Sequence, residues 1–157
     1  VTSFDGAFER VIDHEGDHVD HPDDPGGETR FGISQRSYPE LNIATLTLAD
    51  AKEIYRSDYW DRVKADQLPA ELRFILFDSA VNSGVSQSIK WLQQSLANIT
   101  VDGVIGPKTL RAVEDSNPDK IARVFLGLRL RYMTGVRHWK SFGRGWARRV
   151  ADNLITT

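Results

Sequence analysis

The sequence predicts a mainly α-helical protein, a helical bundle with one small β-hairpin or turn region after its first helix. Apolar residues recur at helical spacing, every third or fourth position, along most of the chain. The stretch Pro22-Asp23-Asp24-Pro25-Gly26-Gly27 cannot be helix interior and reads as a tight turn or short hairpin. No repeat or low-complexity linker divides the 157 residues, so one compact domain over 1–157 is expected.

Taken in order, Ser3 is a candidate N-cap, and Phe4, Phe8, Val11 and Ile12 form the stripe of a helix over 4–15 that Gly16 stops. Thr29-Arg30-Phe31-Gly32-Ile33 is a short strand candidate with Phe31 and Ile33 on one face, and Ser34 caps a short helix that Pro39 interrupts. Thr47 opens a second helix, with Asp50 placed for a capping box and Leu48, Ala51, Ile54 and Tyr55 along one side. Pro69 starts a helix to about Asn82, with Leu72, Ile75, Leu76, Ser79 and Ala80 inward; Gly84 ends it. Ser86 then caps a helix carrying Ile89, Trp91, Leu92 and Leu96. A turn over 101–106 leads to a helix with Pro107 near its first position. Asn117-Pro118 caps a long helix to about Thr134 whose stripe is Ile121, Val124, Phe125, Leu128 and Tyr132. Gly135 stops it, and Gly143 and Gly145 flank a loop before a last helix with Trp146, Val150 and Leu154.

The absence of cysteine excludes disulfides and thiolate metal sites. No apolar run approaches the ~18 residues of a membrane span. Val1 to Asp5 has neither a basic n-region nor an apolar h-region, so no signal peptide is expected. The net charge of −2 is unevenly spread: residues 1–28 hold nine Asp/Glu and one Arg, whereas 119–157 hold nine Lys/Arg and two Asp/Glu. A basic tail is either a solvated helix face or a surface for an anionic partner. Nucleic-acid binding through it would show as affinity falling steeply with salt.

Residues 14–34 concentrate the candidate chemistry, with three of the four histidines and six carboxylates. Glu15 lies eleven, seven, four and three residues after Phe4, Phe8, Val11 and Ile12, on the apolar stripe and at the helix C-terminus. Apolar surroundings and the negative end of the helix dipole both favour the neutral acid, as a general acid near neutral pH requires. A glycosidase needs a second carboxylate on a separate element; Asp24 in the Pro/Gly turn is the natural candidate, Asp20 and Asp23 weaker ones. Asp24 and the Thr29 hydroxyl could hold a water. The alternative is a zinc peptidase, since His14-Glu15-Gly16-Asp17-His18 matches H-E-x-x-H. Gly16-Asp17 is poor helix interior, Pro22 follows soon, and His21 stands where the longer zinc motif has its turn glycine. Zinc is therefore disfavoured, and His14, His18 and His21 read as the rim of an acidic cleft.

Glu15-Gly16 followed by Asp23-Asp24-Pro25-Gly26-Gly27-Glu28-Thr29-Arg30-Phe31-Gly32-Ile33-Ser34 resembles the front motif of glycoside hydrolase family 108, the phage and prophage lysozymes (endolysins). That motif runs Glu-Gly-Gly-Tyr, then Asp-Pro-Gly-Gly-x-Thr-x-x-Gly-Ile. This chain departs from it with Asp17 for the second Gly and His18 for the Tyr. Tyr59-Trp60-Asp61 and Phe77-Asp78-Ser79-Ala80-Val81-Asn82-Ser83-Gly84 resemble further segments of the family. Trp91-Leu92-Gln93 and Val101-Asp102-Gly103-Val104-Ile105-Gly106-Pro107-Lys108-Thr109 resemble the peptidoglycan-binding part that accompanies it. A looser likeness to the family 24 phage lysozymes rests on the Glu15–Asp24 spacing, with Thr29 one residue nearer than usual.

The resemblance implies a lysozyme-like α+β fold with a catalytic part over 1–85 and a helical peptidoglycan-binding part over 86–157. It implies an N-acetylmuramidase cleaving the β-1,4 bond between N-acetylmuramic acid and N-acetylglucosamine, with Glu15 as catalytic acid and Asp24 and Thr29 as its partners. Asn82, Tyr59, Asp20 and His18 are the expected substrate contacts. No metal or cofactor is expected, nor nucleic acid; the partners are peptidoglycan and, through the basic tail, an anionic wall or membrane surface. A monomer is expected, made in the host cytoplasm and acting on the wall or periplasm after release. The rival readings are a lytic transglycosylase on the same bond and a non-catalytic wall-binding module.

Overall fold

Helix α1 (Phe4–Glu15) begins where the Ser3 hydroxyl accepts from the Gly6 N–H at 3.4 Å, supplying an acceptor to a first-turn donor that has none within the helix. The computed structural model describes residues 3–15 and 29–156, and for 13–15 and 156 the backbone only. The expected turn over 22–27, with Asp23, Asp24 and the earlier Asp20 and His18, lies outside the described residues. Phe4, Ala7, Phe8 and Val11 are buried, as the stripe requires.

The run 29–33 is not a continuous strand. It reverses on itself as an antiparallel hairpin, β1 (Thr29–Arg30) and β2 (Ile33–Ser34), with Thr29 opposite Ser34 and Arg30 opposite Ile33. Phe31 and Gly32 at the bend both have positive φ, 52° and 74°, as a two-residue type I′ turn demands. Gly32 suits this; an aromatic residue does not, so the surroundings must hold Phe31 there. The Tyr55 hydroxyl donates to the Phe31 carbonyl at 3.0 Å, and the Arg30 guanidinium lies 5.2 Å from the Phe31 ring centre. Ser34 heads a hydrogen-bonded turn rather than a helix, its carbonyl accepting from Ser37 and Tyr38.

Helix α2 (Leu48–Tyr55) has the predicted capping box: Thr47 Oγ1 accepts from the Asp50 N–H, and Asp50 Oδ2 accepts from the Thr47 N–H. Leu48 is exposed, contrary to the expected stripe. The helix widens into a π turn over Arg56–Trp60, closed by the bond from Asp61 N–H to the Arg56 carbonyl. The wider turn lets Tyr55 and Trp60, five apart, both face the core, while Tyr59 stays half-exposed.

The core is organised around α3 (Ala70–Ser83), in which every residue from Phe74 to Ala80 is buried. A helix covered on all sides must be surrounded by others. Phe77 meets Phe4 of α1 and Trp60 edge-on, at centroid distances of 6.0 and 5.5 Å. Gly84, at φ 89°, joins α3 directly to α4 (Val85–Gln94), so Ser86 is not a cap. Ser88 Oγ donates back to the Leu76 carbonyl at 2.9 Å. Buried Gln93 donates to Asp102 Oδ1 and the Val104 carbonyl and accepts from the Asp102 and Gly103 N–H groups, which shapes the loop before α5 (Pro107–Glu114).

Helix α6 (Pro118–Gly135) is capped by Asn117 as expected, but its buried face is Ile121, Ala122, Phe125, Leu126, Arg129 and Met133. Val124 and Tyr132 are substantially exposed, so the predicted stripe is rotated towards Arg129. Helix α7 (Trp139–Thr156) runs straight through the loop expected at 143–145, and Leu154 is exposed. Gly143 explains the continuity: a Cβ there would stand 2.7 Å from Trp139 Cδ2, so its absence lets the indole lie against the helix. Gly143→Ala should therefore lower the melting temperature. Overpacking of about 1–3 kcal/mol outweighs the ~1 kcal/mol that alanine gains in a helix. Thermal unfolding followed by circular dichroism checks it; a rise would mean that Trp139 swings aside without cost.

Candidate functional site

The backbone of Glu15 ends α1 behind the buried stripe; its side chain is outside the described residues. Arg10, five residues before it, ties α1 to two other helices. Its guanidinium lies 4.2 Å from the Phe74 ring centre on α3 and donates from Nη2 to the Asp152 carbonyl of α7 at 3.2 Å. Glu15 follows about 7.5 Å farther along the axis at 1.5 Å per residue. Thr29 stands half-buried at the base of the hairpin, which is anchored by the bond from Arg30 Nη1 to the Ala44 carbonyl at 2.6 Å and by Tyr55. Acid and hydroxyl candidates therefore sit on fixed elements flanking residues 16–28.

The two expected sugar contacts line different depressions. Asn82, at the end of α3, faces a groove of about 510 Å³ walled by Phe142, Gly145, Trp146, Arg148, Arg149 and Asp152 of α7. Tyr59 faces a depression of about 490 Å³ beside Tyr38, Asp58, Arg62 and Lys90, at the α3–α4 junction. There the Tyr38 hydroxyl donates to Asp58 Oδ2 at 2.7 Å. Burial, then this bond to a carboxylate, raises the Tyr38 pKa far above the ordinary tyrosine value and keeps the hydroxyl protonated. The zinc motif includes His18 and the side chains of His14 and Glu15, outside the described residues.

Sequence reasoning missed the cluster beneath the Asn82 groove. Asp78, wholly buried on α3, accepts from Arg129 Nη1 of α6 at 2.5 Å, from Arg149 Nε of α7 at 2.6 Å and from Asn153 Nδ2 at 2.9 Å. Arg129 is also wholly buried, and its Nε and Nη2 find no hydrogen-bond partner among the described residues. Burial alone would raise the Asp78 carboxyl; the two guanidinium charges and the hydrogen bonds outweigh it and hold the pKa below the ordinary carboxylate value. Burial pulls the Arg129 pKa down, but a guanidinium starts so high that it stays charged. Two of the nine basic residues of the C-terminal region are thus internal partners of one carboxylate, not solvated tail charges. The signal in the sequence is an aspartate inside the apolar run Phe74–Ala80.

Residues 8–84 match the family described as Glycosyl hydrolase 108, and residues 87–151 the one described as Predicted Peptidoglycan domain. Among solved structures, SagA of Brucella abortus, a member of the first family, is 35% identical over 98% of this chain and 92% of its own, with a TM-score of 0.88. The chain belongs to glycosyl hydrolase family 108. No curated protein matches it. The family 108 fold is the expected mainly α, lysozyme-like one, with seven α-helices and a two-stranded sheet among the described residues. A family 108 region followed by a peptidoglycan domain makes the protein a glycoside hydrolase that acts on peptidoglycan.

Proposed function

We infer that the protein is an N-acetylmuramidase of endolysin type, cleaving the β-1,4 bond between N-acetylmuramic acid and N-acetylglucosamine. The observation that carries this reading is the placement of Glu15 at the end of α1, whose stripe Phe4-Phe8-Val11 is buried, with the anchored hairpin bearing Thr29 resuming the chain after the Asp24 segment. Glu15 protonates the glycosidic oxygen as the bond breaks. Asp24, helped by the Thr29 hydroxyl, holds the water that attacks the anomeric carbon or stabilises the oxocarbenium-like charge. The enzyme acts on the wall as a monomer after release from the cytoplasm, and the exposed cations of α6 and α7 draw it to that anionic surface.

Mass spectrometry of digested sacculi tests the reaction. Reducing N-acetylmuramic acid ends, with ¹⁸O taken up from labelled water, are expected. Products ending in 1,6-anhydromuramic acid would make the protein a lytic transglycosylase and remove the water-holding role from Asp24 and Thr29.

A further inference from the structure

Tyr55 touches the elements at both ends of the segment that carries Asp24. Its ring stands edge-on to Phe8 of α1 at a centroid distance of 5.5 Å and to Phe77 of α3 at 6.3 Å. Glu15 lies seven residues after Phe8, two turns on and on the same side of α1. The Tyr55 hydroxyl reaches the other end, donating to the Phe31 carbonyl at 3.0 Å in the bend between β1 and β2. Residues 16–28 join the end of α1 to the start of β1, so one buried side chain is common to the elements on either side of them. Tyr55 is itself held. The capping box fixes the start of α2, the π turn follows directly after Tyr55, and only 2% of the residue is exposed.

The bend is the part of the hairpin that needs holding. Ile33 is buried and Arg30 bonds to the Ala44 carbonyl, which fixes the two strands. Neither sets the backbone of Phe31, whose φ of 52° lies in the region that a bulky side chain avoids. A type I′ turn favours asparagine before its glycine; phenylalanine takes that place here with support from outside the turn. The bond to the Phe31 carbonyl orients the planar peptide between Phe31 and Gly32, and with it ψ of Phe31 and φ of Gly32, the two angles at the middle of the turn. Those angles decide how β1, and Thr29 with it, lies against the anchored β2.

We propose that Tyr55 is a positioning residue for glycan cleavage: its hydroxyl holds the Phe31–Gly32 bend and so sets where the hairpin places Thr29 relative to α1 and Glu15. The proposal rests on the reading of Glu15 as the acid and of Thr29 as the hydroxyl that helps Asp24. Tyr55 touches neither substrate nor water in this role. It acts through the turn, with its ring against α1 and its oxygen against the hairpin, so the two candidate groups keep one spacing. A reacting group displaced by about 1 Å can cost ~10²-fold in rate, which is why one oxygen remote from the chemistry matters.

Tyr55→Phe removes that oxygen and keeps the ring between Phe8 and Phe77. Steady-state cleavage of soluble peptidoglycan strands, well below the unfolding temperature, should show kcat lowered about ten- to a hundredfold with KM unchanged. Hydrogen exchange of the Arg30 and Ile33 amides, on either side of the bend, should quicken about fivefold. Phe31→Asn supplies the residue the turn itself favours. Added to Tyr55→Phe, it should restore most of kcat and slow the exchange again. A purely structural tyrosine would lower the melting temperature, leave kcat of the folded enzyme alone and gain nothing from asparagine at the turn. Native kcat in Tyr55→Phe overturns the proposal, and so does a loss of kcat that Phe31→Asn leaves in place. If Glu15→Gln and Thr29→Val lose activity and Tyr55→Phe does not, the proposal alone fails. If Glu15→Gln cleaves at the native rate, the reading of the acid fails; a Tyr55→Phe loss restored by Phe31→Asn still stands, because it tests the hairpin and not the acid.

Discussion

Asp78→Ala should destabilise the protein by about 3–5 kcal/mol, because it takes the counter-charge from the buried Arg129 guanidinium. Arg129 is wholly buried, two of its nitrogens already lack partners among the described residues, and Arg149 is nearly covered. Removing the carboxylate takes from Arg129 its ion pair and from Arg149 and Asn153 the acceptor they share, in a poorly solvated space. Asp78→Leu with Arg129→Met should recover part of the loss, since an apolar replacement removes the desolvation problem along with the attraction. The folded-state pKa of Asp78 lies below its unfolded value of about 3.9, so its contribution is complete above pH ~4 and fades as pH falls through the folded value. The stability gap between the native protein and Asp78→Ala should narrow on acidification, measured by urea unfolding at pH 7 and below pH 4. The cluster links α3 with α6 and α7, so one transition is expected to shift as a whole. Two transitions, with only the later-sequence one displaced, would show that the cluster holds α6 and α7 together without holding them to α3.

What the sequence made legible was local. The stripe of α1, the Thr47–Asp50 box, the Asn117 cap and the apolar face of α3 depend on neighbours within a few residues, and each stands as expected. What it hid depends on distant partners. Thr29 to Ile33 alternates like a strand, but Tyr55 holds Phe31 at a positive φ that nothing local favours. Gly143 and Gly145 have low helix propensity, yet Trp139 needs the first and the second leaves its neighbourhood open, so the expected loop is helix. The stripe of α6 was misplaced because Arg129 counts as polar until its carboxylate, fifty-one residues earlier, is known. Asn82 is an expected sugar contact, and the groove it faces is walled by α7 from Phe142 to Asp152, a helix the sequence pattern starts only after Gly145.

Glu15→Gln should lower glycan hydrolysis by about 10²–10⁴-fold, the range for loss of a positioned general acid, while leaving the melting temperature and sacculus binding near those of the native protein. Glutamine keeps the size and the hydrogen-bonding shape of the side chain but has no proton to deliver to the leaving oxygen. A role in folding would appear as a shifted melting temperature, and a role in binding as weaker retention on sacculi. A catalytic role moves neither, so the three measurements together separate the meanings of an inactive variant. The same variant divides the enzyme from a passive wall binder: the native protein must release soluble fragments that Glu15→Gln does not. Asp24→Asn should cost less, since a neutral amide can still orient a water while losing its charge beside the developing cation. If Glu15→Gln cleaves sacculi at the native rate, the acid lies elsewhere, and the place of Glu15 behind the apolar stripe of α1 reflects helix packing rather than chemistry.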